Sequence, residues 1–114
     1  MAEDCIFCKI YAGEIPSERL LEAEDCFVIR DIAPKAPTHL LIIPKQHFTY
    51  LSGMTSEFQP VIGCMFNAVR EMADSEGVAE SGYRLVINQK DDAGQEVPHL
   101  HMHLLGGRKM GPMG

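Results

Sequence analysis

The sequence predicts an α+β domain: a mostly antiparallel sheet of about five strands, one long helix and one short N-terminal helix. Three observations carry this expectation. First, Pro98-His99-Leu100-His101-Met102-His103-Leu104-Leu105-Gly106-Gly107 alternates imidazole and apolar side chains at i, i+2, the two-residue period of a β-strand. Second, Thr38-His39-Leu40-Leu41-Ile42-Ile43 is a nearly continuous apolar run, as in a central strand buried on both faces. Third, one long segment carries apolar residues at helical spacing: Val61, Ile62, Met65, Phe66, Val69, Met72 and Ala73.

Taken in order, Cys5-Ile6-Phe7-Cys8-Lys9-Ile10 is short and apolar and holds a C-x-x-C, and Gly13-Glu14-Ile15-Pro16-Ser17 reads as a turn. Arg19–Glu24 is expected as a short strand that Asp25 turns into Cys26-Phe27-Val28-Ile29-Arg30, rich in β-branched and aromatic residues. The prolines of Ala33-Pro34-Lys35-Ala36-Pro37 interrupt any ladder before the Thr38 strand. Pro44 ends that strand, and Lys45-Gln46-His47-Phe48 leads into an irregular connection. Pro60 suits the first turn of the long helix and Gly77 its C-terminal cap. Tyr83–Asn88 is a further strand, and the polar loop Gln89–Glu96 delivers the chain into the histidine-rich strand as a hairpin. Cys26 and Cys64 are expected as small core residues.

On a strand, His99, His101 and His103 line one face, neighbours roughly 7 Å apart, while Leu100, Met102 and Leu104 enter the core. Imidazole can be a nucleophile, a general acid or base, or a metal ligand. Zinc held by the three histidines, with an open fourth position, would make a hydrolytic metal site. Alternatively, His101 attacks phosphorus to form a phosphoramidate that water later cleaves, while its neighbours fix its tautomer. The backbone N–H groups of Gly94, Gln95 and Glu96 would then cradle the phosphate. Spacing leaves both chemistries open.

The remaining composition bounds the partners. The chain has 114 residues, 46% hydrophobic and 23% charged, with a net charge of −6, as for one soluble globular domain spanning residues 1–114. The acidic balance argues against nucleic acid or an anionic membrane as partner, since both attract basic surfaces. No apolar run approaches the roughly 20 residues that span a bilayer, and Met1-Ala2-Glu3-Asp4 lacks a signal-peptide pattern. A cytoplasmic location is expected, with its four cysteines reduced.

At His99-Leu100-His101-Met102-His103-Leu104-Leu105 the chain resembles the histidine triad family, whose signature is His-φ-His-φ-His-φ-φ with φ apolar. The resemblance extends through Asp31-Ile32-Ala33-Pro34, Ala36-Pro37-Thr38-His39, Ile43-Pro44-Lys45, Tyr83 to Asn88, Gly94-Gln95 and Leu104-Leu105-Gly106-Gly107-Arg108 to its Hint branch, the purine nucleoside phosphoramidases. It implies a HIT-like fold, usually a homodimer with a continuous ten-stranded sheet, and hydrolysis of compounds such as adenosine 5′-phosphoramidate with no catalytic cofactor. It makes His101 the nucleophile and gives His103 the phosphate and nucleotide. His39 and His99 complete the shell around His101. Asp31 takes the ribose hydroxyls, Ile32 packs on base or sugar, and Asn88, Gly94, Gln95 and Glu96 line phosphate and ribose. In a subset of the family, residues matching Cys5, Cys8, His47 and His99 bind structural zinc. Glu96 stands where many Hint proteins carry Ser or Thr, and the C-terminus is shorter than in relatives, so leaving-group specificity stays open. A dinucleoside polyphosphate hydrolase and a nucleotide-binding regulatory module are the alternative functions.

Overall fold

Thr38–Pro44 forms the central strand, β3, with all seven residues buried. The computed structural model describes residues 4–114. Around β3 lie β1 (Leu21–Glu22), β2 (Cys26–Arg30), β4 (Tyr83–Val86) and β5 (Met102–Gly106), in the sheet order β1-β2-β3-β5-β4. Every pairing is antiparallel. The helices are α1 (Ile6–Tyr11), α2 (Gln59–Ser75) and α3 (Lys90–Ala93).

Because side chains alternate along a strand, β2 and β3 feed two cores. Cys26, Val28, Leu40 and Ile42, with Leu100, Met102 and Leu104, meet Val61, Met65, Ala68, Val69 and Met72 of α2. Phe27, Ile29, Leu41 and Ile43 meet Phe7 and Ile10 of α1 on the other face. Each such aliphatic or aromatic side chain contributes about 1.5–3 kcal/mol on burial, which is what holds six-residue α1 in place. Arg19 assists by donating to the carbonyls of Ile10 and Tyr11, at 2.8 and 2.7 Å, at the end of α1. Helix α2 carries Pro60 in its first turn. It stops in a Schellman pattern: Gly77, at φ +76°, donates to the Asp74 carbonyl and buried Val78 to that of Ala73.

Several sequence expectations shift. The strand expected over Arg19–Glu24 shortens to Leu21–Glu22, because the chain already turns at Glu24-Asp25 to bring the Ala23 N–H onto the Cys26 carbonyl. Tyr83–Asn88 pairs only through Val86. Phe66 is 51% exposed, one helical step off the α2 stripe, and Ala68 takes a place in the core instead. The Gln89–Glu96 loop contains α3, whose four residues show no periodicity of their own and which is closed by the Gln95 side chain accepting from the Lys90 N–H. The histidine-rich segment enters the ladder only at Met102, so His99 and His101 precede β5. Proline at 98 has no N–H to donate to a ladder, and the Leu100 N–H instead donates to the Phe48 carbonyl. The alternation survives, with Leu100, Met102 and Leu104 on the α2 side. Among the described residues, no helix is long and apolar enough to cross a membrane.

Candidate active site and metal centre

On the face opposite α2, an open pocket of about 570 Å³ sits over the β4-β5-β3 end of the sheet. Its floor comes from alternating strand positions, Val86, His103, Leu105, His39 and Leu41, which the register places side by side. The loop after β2 brings Asp31 and Ile32, the α3 loop brings Asn88, Gly94 and Glu96, and His101 completes the wall.

Hydrogen-bond partners that can act in only one sense assign the proton on each imidazole. The Lys35 backbone N–H donates to His39 Nδ1 at 3.0 Å, so in neutral His39 the proton is on Nε2. That Nε2–H donates to His103 Nδ1 at 2.9 Å, which puts the remaining proton of His103 on Nε2. His101 Nδ1 lies 2.8 Å from the His99 carbonyl. A carbonyl only accepts, so Nδ1 carries the hydrogen, and in neutral His101 the Nε2 is a bare lone pair on a ring lining the pocket. The rings of His101 and His103 stand edge to face at 5.1 Å. The result is a ring nitrogen that these contacts leave free of hydrogen bonds, beside an N–H donor.

Burial favours the neutral form of His39 and His103. It pushes His103 down to about 4, aided by the neighbouring His101 and His39. It also lowers His39, against the opposing pull of Asp31, whose Oδ2 lies 3.4 Å from His39 Nε2. Asp31 Oδ1 accepts from the Ala33 N–H at 2.8 Å, which fixes the carboxylate at the pocket edge.

His99 does not line the pocket. Its Nε2 donates to the Pro44 carbonyl at 2.8 Å, leaving the Nδ1 lone pair 3.2 Å from Cys5 Sγ and 3.6 Å from Cys8 Sγ. His47 Nδ1 is 3.3 Å from Cys8 Sγ. In a tetrahedral zinc site with bonds near 2.3 Å to sulfur and 2.0 Å to nitrogen, a sulfur–nitrogen edge is roughly 3.6 Å, so these four residues fit the ion. Burial, and then Cys5, push the Cys8 thiol up to about 11, whereas burial pushes His99 down to about 4, its ligand form at neutral pH.

The three triad imidazoles therefore do not form one ligand set: His99 faces the cysteines and His101 Nδ1 faces a carbonyl. Asp31, His39 and His103 do cluster within 4.8 Å, but His39 turns its N–H, not a lone pair, toward that cluster.

Gln95 lies outside the pocket lining. Its N–H donates to the Lys90 carbonyl, and its side chain bridges the Lys90 N–H and the Val97 carbonyl, so these donors are engaged within the loop. The Gly94 N–H is likewise committed, to Asp91. Of the three expected donors, Glu96 alone has no backbone acceptor among the described residues. Ile32, 97% exposed, stands at the lip. Sequence reasoning missed Phe7, which packs edge-on against both His99 and His101 at 5.7 and 5.0 Å. Its place inside the C-x-x-C, carried to the same site as His99, was the available signal.

The HIT domain family model matches residues 12–110, which leaves Cys5 and Cys8 outside it. The chain is 46% identical over 113 residues to the purine nucleoside phosphoramidase of Escherichia coli, covering 99% of this chain and 95% of the relative. A HIT family hydrolase from Clostridium thermocellum superposes with a TM-score of 0.92 at 44% identity, covering 96% of each chain. One from Legionella pneumophila does so with a TM-score of 0.90 at 45% identity, covering 94% of this chain and 96% of its own.

Proposed function

Given that this chain belongs to the HIT domain family and is a hydrolase of that family, we propose that it cleaves the P–N bond of purine nucleoside phosphoramidates through a nucleotidyl intermediate on His101. The observation that carries this reading is the chain of single-sense hydrogen bonds, Lys35 N–H to His39 to His103 and His101 to the His99 carbonyl. It leaves His101 Nε2 unprotonated and His103 Nε2 protonated, as attack on a phosphoryl group requires.

In the first half, His101 Nε2 forms a bond to phosphorus while the P–N bond breaks and the amine leaves with a proton from solvent at the open mouth. The positive charge on the His101 ring is stabilised through Nδ1–H by the His99 carbonyl. The His103 Nε2–H and the Glu96 N–H donate to the phosphoryl oxygens. In the second half, water adds to phosphorus, the His101 Nε2–P bond breaks, and the nucleotide and a proton depart. Asp31 takes the ribose hydroxyls, two acceptor oxygens against two donors, with Asn88 and Gly94 beside them and Ile32 against the base. Cys5, Cys8, His47 and His99 would hold a structural zinc, which would supply rigidity to the segment carrying His99 and no step of the reaction. Two copies pair through the free edge of β4, a reading supported by exposed Tyr83 on that strand and exposed Phe66 on α2.

Competition between adenosine 5′-phosphoramidate and a dinucleoside polyphosphate tests the substrate class. Preferred turnover of the phosphoramidate is expected; preferred turnover of the polyphosphate overturns the assignment.

A further inference from the structure

Two cysteines outside the pocket and the metal centre meet across the other core. Cys26 on β2 and Cys64 on α2, 38 residues apart, bring their sulfurs to 3.3 Å. Cys26 is fully buried, whereas Cys64 is half-buried and lines a depression of about 440 Å³ between α2 and the β1–β2 turn. Cys64 fronts the depression and the Cys26 sulfur lies 3.3 Å from its own, the arrangement of an attacking and a resolving thiol. Burial, and then the contact with Cys64, push the Cys26 thiol up to about 12, so Cys26 is held as the thiol and must pass its proton to the departing oxygen as it attacks. Glu24, Asp25 and Glu71 rim the depression, which disfavours anionic oxidants and admits neutral ones.

We propose that Cys64 and Cys26 are an oxidation site that closes to a disulfide between α2 and β2 when it meets a neutral hydroperoxide. The Cys64 thiol gives its proton to solvent, and its sulfur takes the distal oxygen of the hydroperoxide. The O–O bond breaks, the remaining alkoxide or hydroxide is protonated, and Cys64 becomes a sulfenic acid. The Cys26 sulfur then attacks the Cys64 sulfur, the S–O bond breaks, and hydroxide leaves with the Cys26 proton as water. Two thiols and one hydroperoxide thus give one disulfide, one alcohol or water, and one further water. The bond staples the long helix to the sheet on the face away from the imidazoles.

The test exposes the native full-length chain to hydrogen peroxide, blocks free thiols by alkylation and maps the peptides by mass. A Cys26–Cys64 cross-linked peptide is expected, lighter by two hydrogens, together with a raised melting temperature. Formation is expected roughly tenfold faster than with the anionic glutathione disulfide at equal concentration. Cys64→Ser, at the half-exposed position, abolishes the cross-link. Cys26→Ala strands Cys64 as a sulfenic acid that a cyclic dione traps. Recovery of alkylated Cys64 after peroxide, over-oxidation of Cys64 with Cys26 still a thiol, or bridging to Cys5 or Cys8 instead would each overturn the proposal.

Discussion

Replacing His39 by alanine removes the middle link between the Lys35 N–H and His103. Two hydrogen bonds are lost, at 3.0 and 2.9 Å. Each partner left unsatisfied costs about 1–3 kcal/mol. Lys35 is exposed and can turn to water, so the sum falls at about 1–3 kcal/mol, or roughly 10 °C in melting temperature for a domain of this size. Catalysis suffers separately. Without the His39 Nε2–H, His103 is free to move its proton to Nδ1 and stops presenting a fixed donor to the phosphoryl group. Deleting a comparable donor outright costs about 10²–10³ in kcat; freeing its tautomer is expected to cost roughly tenfold to a hundredfold. His39→Gln, whose amide nitrogen reaches the place of Nε2, restores part of kcat without restoring the Lys35 contact. Steady-state kinetics and thermal melts on the three proteins separate the two effects. Unchanged kcat in folded His39→Ala, or a Gln variant no faster than Ala, would refute the relay.

Other outcomes follow from the same geometry. Asp31→Asn keeps the Oδ1 contact to Ala33 but loses a charged acceptor for ribose, so KM is expected to rise about tenfold at nearly constant kcat; a pure kcat effect would remove Asp31 from binding. His103 titrates in the folded chain near 4, below its unfolded value of about 6.5. Its contribution, on the order of 2–3 kcal/mol, is therefore complete above pH 6.5 and lost as pH falls toward 4. Denaturant melts should show that loss, and His103→Gln should reduce it, leaving the part that buried His99 contributes over the same range. Elemental analysis is expected to find one zinc per chain; stripping it should lower the melting temperature and expose the Cys5–Tyr11 segment to protease. Since Cys8 must surrender its proton to bind, zinc affinity should rise with pH; a pH-independent affinity would argue against the thiolate ligand.

The strands built from strong patterns were legible: Cys26–Arg30 matches its expected bounds, and the apolar run from Thr38 is the sheet's centre. So were the alternation that sends Leu100, Met102 and Leu104 away from the imidazoles and the glycine stop at the end of α2. What escaped depends on partners distant in sequence. The turn of His99 toward Cys5 and Cys8, more than ninety positions upstream, is not written in the spacing of His99-Leu100-His101; only the resemblance named that set. The donors offered by Gly94 and Gln95 looked free because α3, which consumes them, is too short to announce itself. Cys64 looked like filler because its nearest sulfur is on another element.

The central claim is that His101 intervenes covalently, and the stereochemical course at phosphorus tests it most directly. Each in-line displacement inverts phosphorus. Turnover of a phosphorus-chiral thio analogue of adenosine 5′-phosphoramidate in oxygen-labelled water, which keeps the product phosphorothioate chiral, is expected to proceed with net retention, through attack by His101 Nε2 and then by water. Net inversion would mean that water attacks the substrate directly, and the nucleotidyl-histidine would fall.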